Sequence, residues 1–180
     1  MLSGKVALVT GASAPNGIGR AITLKLAGNG AHVVVTDIDG MIPVMGGTRA
    51  TLDLLDELVA EIEIHGAQAI AMKLDVTRSA DIETAVAQAI EAFGQLDILV
   101  NNAGSLVGAD NFLSTTPEQW ETSFRVNVLG PMMLAQAVIP QLKRIGGGRI
   151  INIGSTGSLG AEPGFGAYTA MKHALVVTSQ

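Results

Sequence analysis

The feature that most constrains this chain is an alternation: five short, nearly unbroken apolar runs are separated by longer segments of helical periodicity. The runs cover residues 5–10, 31–36, 68–74, 96–100 and 149–154. A strand that is apolar on both faces must be covered on both faces, which is the condition of a parallel sheet held between layers of helix. Helices are expected at 17–29, 48–65, 79–93, 117–145 and from 167 to the end, where the pattern is still running at Gln180. Gly30, Gly66, Gly94 and Gly146 stand where helices should stop. Thr116-Pro117-Glu118-Gln119 reads as an N-cap, a proline at the first helical position and a capping-box glutamine. Pro131 and Pro140 predict a kink or a break in the long fourth helix. The expectation is a single three-layer α/β/α domain over residues 1–180 on a doubly wound parallel sheet.

Composition narrows the function classes. Apolar residues make up 48% of the chain and mean hydropathy is +0.40, yet no apolar stretch approaches the ~18–20 residues of a membrane span. That hydrophobicity has to be buried internally or against partner subunits, and no membrane partner is expected. With 11 basic against 16 acidic residues and no basic stripe, nucleic acid has no electrostatic foothold. The absence of cysteine excludes disulfides, thiolate metal sites and thiol nucleophiles. His32, His65 and His173 have no ligand spacing, so they read as strand-edge, helix-end and helix-face residues, and no metal is expected. The Met41, Met45 and Met132-Met133 side chains read as packing or loop residues. Met1-Leu2-Ser3-Gly4-Lys5 runs straight into the first apolar run with no cleavage signal, so the expected location is cytoplasmic.

After the first run comes Thr10-Gly11-Ala12-Ser13-Ala14-Pro15-Asn16-Gly17-Ile18-Gly19, and then a helix begins. Glycines belong here if the chain must turn sharply and let its backbone approach a pyrophosphate at the helix N-terminus. The second run ends at Asp37, 18 residues after Gly19, close to the ~20-residue offset at which a dinucleotide fold places its ribose-binding carboxylate. Such a carboxylate accepts the adenosine ribose hydroxyls and repels the extra phosphate of NADP, so NAD is the expected cofactor. Asp39 reads as a solvated turn residue. The connection 38–48, with Pro43, Gly46 and Gly47, is longer than the ~2–6 residues usual after such a strand and is a candidate functional loop.

These motifs resemble the short-chain dehydrogenase/reductase family, whose glycine motif is Thr-Gly, three residues, then Gly-x-Gly; here five residues separate Gly11 from Gly17. Asp75-Val76 resembles the family's adenine-contacting pair, and Asn101-Asn102-Ala103-Gly104 its Asn-Asn-Ala-Gly motif. Ser155, with Tyr168-Thr169-Ala170-Met171-Lys172 beginning 13 residues later, resembles its Ser and Tyr-x-x-x-Lys signature, and Asn127 matches its fourth catalytic position. The resemblance implies a Rossmann-type fold with Asn127, Ser155, Tyr168 and Lys172 as catalytic residues. It implies cofactor contacts from Gly11, Asn16, Gly17, Ile18, Gly19, Asp37, Asp75, Val76, Asn102, Ala103 and Gly104, with Tyr168 and Lys172 at the nicotinamide end.

The implied chemistry interconverts a small-molecule secondary alcohol and a ketone. Tyr168 moves the proton, Ser155 holds the substrate oxygen, and Asn127 positions a water that relays protons to Lys172. Residues at i and i+4 share a helix face, so Lys172 can act beside Tyr168. A phenol is a weak base at neutral pH; a neighbouring ammonium and the positive nicotinamide ring favour its ionised form. The family also implies a homo-oligomer, a dimer or a tetramer. Its members usually continue past this last helix with further strands and a substrate-covering segment. The alternatives are a truncated dinucleotide-binding or subunit-interaction protein without turnover, and an NADP-dependent 3-oxoacyl thioester reductase, which Asp37 disfavours.

Overall fold

The computed structural model describes residues 1–64, 66–161 and 163–179. Five strands form one parallel sheet: β1 (Val6–Thr10), β2 (His32–Asp37), β5 (Ala69–Lys73), β6 (Ile98–Asn101) and β7 (Arg149–Asn152), in the spatial order β5-β2-β1-β6-β7. The pairing runs in register, with Leu8 opposite Val34 on one side and Leu99 on the other. Strand order reverses between β1 and β6, and an open α/β sheet forms its ligand crevice outside the carboxyl ends of the strands at such a reversal.

Alternate residues of β1 enter two different cores. Val6 and Leu8 pack with Ile82 and Val86 of α3 (Ser79–Phe93) and with Leu134 and Val138 of α5 (Gly130–Arg144). Ala7 and Val9 pack with Ala27 of α1 (Ile18–Ala27) and with Leu55, Leu58 and Ile62 of α2 (Thr51–Ile64). This is why the runs are apolar at successive positions: each strand feeds both layers. Full burial of Leu or Ile side chains such as these stabilises the fold by about 1.5–3 kcal/mol each.

The helix stops fall where the glycines predict. Gly30, Gly66, Gly94 and Gly146 all take positive φ, between 76° and 94°, a region in which other residues are strained. Thr116 and Gln119 form the expected reciprocal cap at the start of α4 (Pro117–Phe124).

Two expectations are corrected. Residues 38–48 do not form a plain loop, and the second helix does not start at Thr48. The chain makes an antiparallel hairpin, β3 (Met41–Val44) with β4 (Gly47–Ala50), and α2 starts only at Thr51. Gly46 and Gly47 supply the positive φ of its tight turn. The break expected in the 117–145 segment is a π-helical turn at Arg125–Leu129, which separates α4 from α5. Gly130 N–H reaches back five residues to the Arg125 carbonyl, and Pro131 has no N–H to give the Asn127 carbonyl. Pro140 sits inside α5 without ending it, on the exposed face where water can satisfy the carbonyl it leaves unpaired. The last helix is α6 (Gly166–Val177), with Thr178 and Ser179 hydroxyls bonded to the Ala174 and Leu175 carbonyls. The strands themselves are one or two residues shorter than their apolar runs at several ends. Pairing, not hydropathy, sets those limits.

Among the histidines, His32 opens β2, stacks on Phe93 at 5.5 Å and accepts from the Gln68 N–H. The His173 ring bonds to the Thr169 carbonyl within α6. The reading of His65 lies outside the described residues.

Candidate active site

The crevice at the β1/β6 reversal is built by three polar side chains. Thr10 Oγ1 accepts the Asn102 and Ala103 N–H groups at 3.1 and 3.0 Å. Asn102 Nδ2 donates to the Thr10 and Gly11 carbonyls, both at 2.9 Å. Asn101, the last residue of β6, donates to Asn152 Oδ1 at 2.8 Å and ties the crevice to β7. The glycine loop and the Asn-Asn-Ala-Gly segment are therefore stitched together before any ligand arrives. A Cβ on Gly11 would lie 2.9 Å from Ala103 Cα, and one on Gly19 would collide with the Gly11 carbonyl and Asn102 Nδ2. Only glycine fits at these points: close approach forbids a Cβ at both, and Gly11 also takes a positive φ of 68°.

Two chambers open along this seam. One, of about 480 Å³, has Gly11, Asp37, Asp75, Val76, Asn102 and Ala103 in its walls, with Ile42 of the hairpin on its rim. The other, of about 250 Å³, is lined by Ile18, Gly104, Ile153, Gly154, Tyr168 and Lys172. Asn102, Gly104 and Ser105 line both, so the chambers join there. An elongated dinucleotide fits this trough: a carboxylate stands at one end, a Tyr-Lys pair at the other, and α1 presents its first N–H groups with no side-chain cap between.

The expected cofactor residues divide between these spaces. Asn16, Gly17 and Gly19 line neither chamber; Asn16 and Gly17 face a third cavity of about 600 Å³ between the glycine loop and the hairpin. Asp75 also has local duties. Its Oδ1 accepts the Thr77 N–H and hydroxyl, while its own N–H donates to Asp81.

At the other end, Lys172 is 5% exposed, with Nζ 2.8 Å from the Ile153 carbonyl and 5.8 Å from the centre of the Tyr168 ring. Burial pushes its ammonium below the usual lysine range. Phe165 meets the Tyr168 ring edge-on at 6.4 Å. Ser155 begins a short 3-10 turn, Thr156–Ser158, in which its Oγ accepts the Gly157 N–H and its own N–H donates to Ser158 Oγ. That leaves the Ser155 hydroxyl proton free to donate. The Asn127 side chain is held on both sides: Oδ1 accepts the Ser105 N–H at 3.1 Å, and Nδ2 donates to the Ser105 and Ser123 carbonyls at 2.9 and 3.0 Å. It clamps the segment after Gly104.

Several working residues escaped the sequence reading. Ser105 and Ser123 carry no chemistry that marks them, Thr10 stands in the sequence only as the residue before Gly11, and Ser13 and Ile42 matter only through contacts across 24 residues of chain or through the hairpin.

The doubly wound sheet, its glycine crevice and the Tyr-Lys pair at its far end define a nucleotide-binding α/β domain of the dehydrogenase kind. The chain belongs to the short chain dehydrogenase family, whose model matches residues 5–180. Among its relatives, an uncharacterized NAD-dependent oxidoreductase of Mycobacterium tuberculosis is 40% identical over 179 residues, 97% of this chain and 63% of the relative. The chain thus spans under two thirds of the length of that relative. A short chain dehydrogenase/reductase from Burkholderia phymatum, crystallised in complex with NAD, superposes with a TM-score of 0.86 at 31% identity, covering 99% of this chain and 58% of that one. A metagenomic short-chain oxidoreductase in complex with NADP gives a TM-score of 0.85 at 34% identity, covering 98% and 74%.

Proposed function

We propose that the protein is an NAD(H)-dependent oxidoreductase that interconverts a secondary alcohol and a ketone, with Tyr168 as the acid/base. The observation that carries this reading is the buried Lys172 ammonium beside the Tyr168 ring at the end of a trough whose other end is Asp37. When bound, NAD supplies the acceptor for the hydride that leaves the alcohol carbon. Tyr168 takes the alcohol proton as that hydride departs, or returns it in the reverse direction. Lys172 favours the ionised phenol by its charge and reaches the nicotinamide ribose with donors that the Ile153 carbonyl does not use. Ser155, its oxygen already accepting from Gly157, donates to the substrate oxygen and steadies the charge developing there. Asn127 holds the Ser105 segment that forms the junction of the two chambers.

Asp37 selects NAD over NADP, since no Lys or Arg is among the described residues lining its chamber. The NADP-bound neighbour keeps an NADP-dependent reductase as the second reading, and Asp37 weighs against it. The substrate is a small molecule. No helix among the described residues is long and apolar enough to cross a membrane. Exposed Phe124, Met132 and Ile139 on α4 and α5 support a homo-oligomer. The test of the catalytic reading is Tyr168→Phe, which removes one hydroxyl and keeps the ring. NADH formation from a panel of secondary alcohols should fall at least about 100-fold, the scale of lost general acid/base catalysis, with NAD affinity little changed. Undiminished turnover rules out the acid/base role.

A further inference from the structure

The carboxylate that ends β2 is held in an unusual way. Asp37 Oδ2 accepts both the N–H and the hydroxyl of Ser13, at 3.0 and 2.6 Å, while Oδ1 accepts the Ile38 N–H at 2.8 Å. Ser13 is 1% exposed and lies in the glycine loop, 24 residues away in sequence. None of these donors is a cation. Lys73, opposite Asp37 on the neighbouring strand, has its ion pair with Asp39 at 3.6 Å. The charge on Asp37 is thus fixed in direction without being neutralised, and of the roughly four lone-pair sites of a carboxylate three are occupied. One remains for a ribose hydroxyl.

We propose that Ser13 is a cofactor-specificity residue: it pins the Asp37 carboxylate where the extra phosphate of NADP would have to lie. The inference rests on the reading of Asp37 as the NAD selector. It also accounts for the lengthened loop. Ser13 spends its N–H on Asp37 and so withdraws it from the pyrophosphate. The added residues let the chain turn again, with Gly17 N–H bonded to the Ala14 carbonyl at 2.9 Å, and hand phosphate binding to the first N–H groups of α1. Without the Ser13 hydroxyl the carboxylate keeps its charge and two backbone donors but loses its shortest bond and is held less firmly. It then greets the ribose hydroxyl less well and repels the phosphate less.

Titration calorimetry with NAD and with NADP on the wild-type protein, Ser13→Ala, Ser13→Thr and Asp37→Ser tests this without requiring turnover. The expected result is a wild-type preference for NAD that Ser13→Ala narrows roughly tenfold, the worth of one charge-assisted hydrogen bond. Ser13→Thr, which keeps both donors, should restore the ratio. Asp37→Ser should narrow it at least as far as Ser13→Ala does. An unchanged ratio in Ser13→Ala, or equal weakening of both cofactors as from mere loosening of the loop, overturns the proposal and leaves the Asp37 reading intact. A wild-type preference for NADP removes both. If Ser13→Ala melts at a temperature too low for titration, Ser13→Cys, which keeps the volume and replaces a strong donor by a weak one, answers through the same ratio.

Discussion

At Gly19 a methyl group has nowhere to go, since it would meet the Gly11 carbonyl and Asn102 Nδ2. Backbone must shift to admit it, so Gly19→Ala should weaken NAD binding by at least about tenfold in titrations of the folded protein. Gly148→Ala is the contrasting case. Its Cβ would lie 2.5 Å from the Asp97 carbonyl oxygen and 2.5 Å from Leu142 Cδ2, at the opposite edge of the sheet. It should destabilise the fold by about 1–3 kcal/mol and leave cofactor affinity alone, as denaturant melts beside titrations will report. Lys172 behaves differently again. Burial lowers its pKa in the fold, so between that value and the ordinary lysine value the unfolded chain binds more protons than the native one, and stability rises with pH across that interval. The full penalty is present below it. Lys172→Met should therefore abolish turnover yet gain stability relative to wild type at pH 7, with the gain shrinking as pH is raised. Urea melts at neutral and alkaline pH measure it, and a gain that grew with pH would contradict the burial argument.

Among the elements, the β3–β4 hairpin is the one that local sequence concealed. Its strands pair only with each other, and it is fastened to the domain by Arg49, bonded to both Glu57 oxygens at 2.6 and 3.1 Å, and by Thr51, whose hydroxyl accepts the Gly40 N–H and donates to the Ile38 carbonyl. Because no strand of the main sheet depends on it, replacing residues 41–50 by a short glycine link should leave the circular dichroism spectrum of the parallel sheet and its helices in place. The same change removes Ile42 from the chamber rim, apolar contact worth about 1–2 kcal/mol, and should weaken NAD binding accordingly. Unaltered affinity would show the hairpin to be irrelevant to the cofactor. Residues 38–48 read as loop because Pro43 interrupts the apolar stretch Met41–Val44 and its partner Gly47–Ala50 has no apolar run. The π-turn is half legible: Pro131 announces a break, but the side-chain bonds that hold Asn127 to Ser105 and Ser123 leave no local signal.

For the molecule as a whole, Phe124, Met132 and Ile139 leave apolar surface on α4 and α5, each at least 37% exposed. Sedimentation of the wild-type protein should show a species larger than one chain, and Met132→Glu combined with Ile139→Lys should shift it toward the monomer; a monomeric wild type would remove that part of the proposal. The amino-acid sequence by itself determined the layer architecture, the helix stops and the residues that gather at the carboxyl ends of the strands. Apolar periodicity, glycine and proline act within a few residues, and the alternation of runs leaves few other ways to cover a sheet. Only the tertiary structure decided which of those residues meet. That Ser13 fastens Asp37, that Asn127 clamps Ser105 and that Lys172 anchors on Ile153 are contacts across 24, 22 and 19 residues of chain. Their partners are chosen by strand order and register, which arise from packing the entire core and are written in no local stretch of it.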